Sequence, residues 1–154
     1  MNNTHTFVGG VKKTLLIISQ TCLLWISFPS FAATLVVELT QQEPQGITHA
    51  ALYTGDSSDW DVPPYRTAQT SDNSLVFEHL PAGTYALQLY QDVNNNNQLD
   101  NSRSGLPKEP VGFTNNPSIV NGKPKIEQCW IEVLEPQTST QVRLFTRKRY
   151  RSRN

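Results

Sequence analysis

The chain has 154 residues with 13 basic and 13 acidic side chains, enough for one domain with a respectable core. Five of the basic residues (Arg147, Lys148, Arg149, Arg151 and Arg153) lie in the last eight positions. The remainder is therefore an acidic body, and that charge argues against a nucleic-acid binder.

The amino terminus reads as a targeting segment. Lys12 and Lys13 precede an apolar stretch from Leu15 to Phe28, which Pro29 breaks. Ser30 and Ala32 are then small at the −3 and −1 positions of a secretory cleavage site. The stretch is short for a membrane helix of about 20 residues. Residues 1–32 are expected to be a signal peptide, and the mature chain to begin at Ala33 in the periplasm or outside the cell. Gln20 and Thr21 before Cys22 do not suit a lipid-anchor site. Loss of the leader would leave Cys129 as the only cysteine, so no intramolecular disulfide is expected. Its place in the alternation CWIEVL makes it a buried small hydrophobe.

After Ala33, period-2 alternation recurs and helical periodicity does not. Leu35, Val37 and Leu39 share one face of a first strand, and Gln41 to Gly46 is a turn. Ile47 to Tyr53 is a second strand, and Gly55 to Asn73 a long polar connection whose Trp60 folds back over the core. Leu75 to His79 and Thr84 to Tyr90 form a hairpin closed by Leu80-Pro81-Ala82-Gly83. Prolines and glycines from Gly105 to Pro124 make an extended arm with no long central strand. Cys129 to Leu134 and Thr140 to Phe145 are the last strands, with Cys129, Ile131, Val133, Val142 and Leu144 facing inward. About seven short strands predict an all-β fold, a single antiparallel β-sandwich over residues 33–146. Residues 147–154 form a basic tail that would touch a membrane surface, an acidic partner or the body itself, or simply fray.

The hairpin delivers the chain into Asp92, where oxygen-bearing side chains recur at every second position: Asp92, Asn94, Asn96, Gln98 and Asp100. That is the spacing with which a short loop wraps Ca²⁺, Gln98 offering its backbone carbonyl. Asn97 stands where such a loop has glycine, and Arg103 where it has a bidentate Glu. A complete shell would need another carboxylate, for which Glu109 is the candidate. The other reading is a hydrated Asx-turn loop with no ion.

These residues carry a family resemblance. The stretch FEHLPAGTYALQLYQDVNNNNQLD, followed by GLPKEPVGFTNN, resembles the DUF2141 family of exported bacterial domains of unknown function. Phe77, Leu80, Pro81, Gly83, Tyr85 and Ala86 fit its hairpin motif. Asp92, Asn94, Asn96, Leu99 and Asp100 fit its loop. Gly105, Pro107, Lys108, Glu109, Gly112, Phe113, Asn115 and Asn116 fit the motifs that follow. Asn97 departs from the family's glycine and Thr114 from its serine. The hairpin is also similar to transthyretin-like (prealbumin-like) and carboxypeptidase-regulatory sandwich domains, which implies that fold. The resemblance implies no activity.

The expected function is a non-catalytic, exported binding or structural module with an Asp/Asn loop open to Ca²⁺. Its partner would be a protein or glycan of the cell envelope. A carbohydrate-binding module using Trp60, Tyr65 and Trp130 is the alternative. A hydrolase is not expected. Only His49 and His79 would remain as bases, and no nucleophile elbow or zinc-binding helix is present.

Overall fold

The computed structural model describes residues 32–146. The rest of the expected signal peptide (1–31) and the basic tail (147–154) lie outside the described residues. Strands β1 (Ala33–Thr40), β2 (Ile47–Thr54), β3 (Arg66–Thr70), β4 (Ser74–Leu80), β5 (Gly83–Asp92), β6 (Val111–Phe113), β7 (Ile131–Val133) and β8 (Gln137–Arg143) make two sheets. A 3₁₀ turn spans Ile126–Cys129. Among the described residues no helix is long and apolar enough to cross a membrane.

One sheet has the order β4-β1-β8, the other β3-β2-β5-β6. β7 lies beside the first residues of β5 (Gly83–Tyr85), and β6 beside its later ones (Gln88–Tyr90). The all-β sandwich is as expected. Its pairings are antiparallel except for β1 with β8, which run parallel from Thr34↔Gln137 to Thr40↔Arg143.

Alternation places the core. Leu35, Val37 and Leu39 of β1 meet Leu52 of β2, Tyr85, Leu87 and Leu89 of β5, and Val133 and Val142 from the last strands. Leu87 is fully buried, so truncating it to alanine should cost about 2–5 kcal/mol. The larger sheet is covered in part on its other face as well. Tyr53, Trp60, Ala86, Val111, Phe113, Ile126 and Cys129 form a second apolar cluster there.

Four element boundaries differ from expectation. The polar connection 55–73 contains the edge strand β3, whose sequence RTAQT offers no apolar alternation. The proline-rich arm contains β6, three residues long. Cys129 closes a 3₁₀ turn rather than opening a strand, and the following strand is only Ile131–Val133. The final strand starts three residues and ends two residues earlier than the alternation placed it, at Gln137–Arg143.

Candidate functional site

The hairpin is locked before the loop begins, because the Tyr85 hydroxyl donates to the Pro81 carbonyl at 2.8 Å. β5 then ends with two buried polar residues. Gln91 clasps the β1–β2 turn, accepting the Glu43 N–H at 2.8 Å and donating to the Glu43 and Gln45 carbonyls. Asp92, fully buried, accepts the Asn96 N–H on Oδ1 at 3.2 Å and the Asn97 N–H on Oδ2 at 2.7 Å. Gly46 must be glycine, since a Cβ there would collide with the Asp92 carbonyl oxygen.

The loop folds around these acceptors. Asn94 and Asn96 both point their amide NH₂ groups at Asp100 Oδ2, at 2.8 and 3.4 Å. Their Oδ1 atoms accept the N–H groups of Asn96 and Gln98 at 3.1 and 2.9 Å. Asn97 has φ +60° and so supplies the left-handed turn normally left to glycine, as does Asn95 at +57°. Asp92, Asn94, Asn96 and Asp100 therefore converge, while Gln98 takes part through its N–H. Glu109 lies over them and is 6% exposed; its carboxylate accepts the Val93 N–H on Oε1 at 2.9 Å and the Asp100 N–H on Oε2 at 3.0 Å. Glu109 thus joins the arm to the loop by accepting two backbone N–H groups. Among the described residues no three His, Cys, Asp or Glu side chains group as a metal site.

The motif after Glu109 does similar architectural work. An added Cβ on Gly112 would lie 2.8 Å from Val142 Cγ1 and 3.0 Å from the Arg143 carbonyl oxygen. The buried Thr114 hydroxyl accepts the Leu87 N–H at 3.0 Å and donates to the Cys129 carbonyl at 2.5 Å. Asn115 donates to the Trp130 carbonyl at 2.6 Å. Asn116 imitates a neighbouring strand for β8, donating to the Gln141 carbonyl at 2.9 Å and accepting the Arg143 N–H at 2.7 Å. Backbone groups left over by short strands are satisfied by these side chains.

A groove that the sequence did not reveal lies on the outer face of the larger sheet, with a volume of about 1500 Å³. Two cross-strand rows make its floor. One is Gln69, His49, Tyr90 and Val111; the other is Thr67, Ala51, Gln88 and Phe113. The small Ala51 gives depth. The loop walls it with Leu99 and the arm with Leu106, Ile119 and Val120, and Lys123 stands at its margin. Leu106 and Val120 are 42% and 61% exposed.

The remaining candidates sort by burial. Trp60 is 8% exposed, packs edge-on against Tyr53, and donates its indole N–H to the Pro124 carbonyl at 2.8 Å. It caps the second cluster as expected, so a stacking surface of Trp60, Tyr65 and Trp130 lacks its first member. His49 stacks on Tyr90 with Nε2 4.0 Å from Asp92 Oδ2, while His79 is exposed in the β4–β5 hairpin. Burial pushes the Cys129 thiol up to about 11, which keeps it protonated and unreactive.

No curated protein and no solved structure matches this chain. Residues 37–141 match a family described as an uncharacterized protein conserved in bacteria, DUF2141. That span runs from β1 into β8 and includes the hairpin, the clamped loop and the arm, so the chain belongs to the DUF2141 family.

Proposed function

We propose that this protein is an exported, non-catalytic β-sandwich module that binds a largely apolar ligand in the groove on its outer sheet face. One observation carries the reading. A four-strand floor is only partly roofed, and two large apolar side chains, Leu106 and Val120, stay in water at its walls. Concave, mostly apolar surfaces with a few polar groups are where small ligands bind. The motif residues Asp92, Glu109, Asn115 and Asn116 hold backbone groups, which supports a binding or structural role rather than a catalytic one. The test is uptake of the neutral fluorophore N-phenylnaphthylamine, with Val120→Asp and Leu106→Asp as exposed substitutions that leave the core alone. Saturable fluorescence gain, reduced in both variants, supports the groove. No gain, or a gain indifferent to both variants, would remove it.

A second reading has its own observation. Asp92, Asn94, Asn96 and Asp100 converge in one loop, and Glu109 closes over it. Ca²⁺ held there, with the Gln98 carbonyl as a further oxygen, would stiffen the end of β5 beside the groove.

A further inference from the structure

We infer that the ligand of this groove is a single-chain anionic amphiphile, a long-chain carboxylate whose head group meets Lys123. The inference rests on the groove reading above and adds the charge. Two formal charges line the groove apart from His49: Glu109 and Lys123. Glu109 is buried, with both oxygens already accepting backbone N–H groups, and it presents little to a ligand. Lys123 differs. Its Nζ stands 5.4 Å over the Trp60 ring, and Trp60 in turn packs on Phe113 of the floor. Asp61 and Asp59 attract the ammonium, yet among the described residues it forms no ion pair.

A cation held against an aromatic face beside an apolar trough is complementary to a head-and-tail molecule. The nearby aspartates limit the head to one negative charge. A phosphate monoester would bring close to two charges and three acceptor oxygens to a single ammonium. The tail would lie along Ile119, Val120 and Leu106, whose exposed apolar surface it would cover.

Competition for the groove decides the matter, using N-phenylnaphthylamine displaced by dodecanoate or by uncharged dodecanol, both below aggregation. The expected result is displacement by dodecanoate at about one-tenth the concentration of dodecanol, the size of one charge-assisted contact. Lys123→Gln should lose the preference, read as the ratio of the two displacing concentrations within that variant, and Lys123→Arg should keep it. Equal displacement in the unaltered protein, or a preference that survives Lys123→Gln, overturns the inference while leaving the groove standing. Failure of the fluorophore to bind at all would overturn both. Lys123→Arg keeps a cation over Trp60, so it separates loss of the charge from any change in the packing of that ring.

Discussion

The Asp100 N–H donates to Glu109 Oε2 at 3.0 Å, joining the end of the loop to a carboxylate nine residues further on. The other oxygen of the same carboxylate holds the Val93 N–H at 2.9 Å, where the loop begins. One buried side chain therefore closes the loop at both ends. Glu109→Ala should leave two part-buried donors without partners and cost about 2–4 kcal/mol. Glu109→Gln should cost less, because one carbonyl oxygen remains, but its NH₂ must face an N–H. Urea denaturation measures both, and amide exchange at Val93 and Asp100 locates the damage. A Glu109→Ala protein as stable as its parent would show that water replaces the clamp.

Thr114 gives a sharper test, because its hydroxyl both accepts and donates within the core. Thr114→Ser keeps the oxygen and loses one methyl, so its cost should stay near 1 kcal/mol. Thr114→Val keeps the volume and leaves the Leu87 N–H and the Cys129 carbonyl unpaired, at about 2–4 kcal/mol. Calorimetry of the two variants should rank them in that order. The reverse ranking would mean that packing of the methyl, rather than the hydroxyl bridge, fixes β5 to the 3₁₀ turn.

Much of the sandwich was legible because half-buried strands write their faces as alternation. β1, β4 and β5 carry it, the last as Tyr85-Leu87-Leu89 against Gln88-Tyr90, whereas Ala50, Ala51 and Leu52 leave the inward face of β2 ambiguous in sequence. β3 was hidden because a half-buried edge strand needs little apolar pattern, and in RTAQT Ala68 alone packs on the core. β6 was hidden by its three-residue length among prolines. The parallel pairing of β1 with β8 leaves no trace in either strand, since alternation fixes faces and not neighbours. For the loop, the spacing placed Asp92, Asn94, Asn96 and Asp100 near one another, and Asn97 took the positive φ of the absent glycine. The direction in which the Asn amides point was not legible, because it depends on which backbone N–H groups the fold leaves without partners. The groove was equally invisible. Its floor is assembled from four strands, and no single stretch of sequence looks like a site.

Burial, with the charge of Glu127 acting in the same direction, raises the Cys129 thiol from 9.0 to about 11. A group whose folded pKa exceeds its unfolded one keeps its proton longer in the native state. Its contribution is complete below about 9 and is lost as pH rises toward about 11. Burial raises Tyr53, Tyr85 and Tyr90 as well, which adds to the alkaline loss. It lowers Lys123, which works the other way. Cys129→Ala should therefore show a shallower decline of the denaturation midpoint across that alkaline window, on a lower baseline set by the cavity. Parallel curves for the two proteins would mean that the thiol ionises alike folded and unfolded.

Calcium binding would require the loop to rearrange its amides. Asn94 and Asn96 now give NH₂ groups to Asp100 Oδ2 and accept N–H groups on Oδ1. A cation at their point of convergence needs oxygens there, so both amides must turn and Asp100 must exchange two donors for the ion. Asp92 brings a carboxylate whose oxygens already hold the Asn96 and Asn97 N–H groups, which a bound ion tolerates because each oxygen has a second lone pair. The Gln98 carbonyl and Glu109 could complete the shell. With Arg103 at the position of the usual bidentate Glu, the dissociation constant should fall on the order of 10⁻⁴–10⁻³ M, as in extracellular modules. At millimolar Ca²⁺ the gain in stability should be about 1 kcal/mol or less. Thermal unfolding with Ca²⁺, with Mg²⁺ and with chelator reads that gain, and Asp100→Asn should abolish it. Mg²⁺ should do little, because it demands a stricter octahedron. The Asn94 and Asn96 side-chain amide resonances provide a second readout, since both must move on titration. If millimolar Ca²⁺ shifts neither the melting temperature nor those resonances, the loop is held by its own N–H groups and by Glu109 alone.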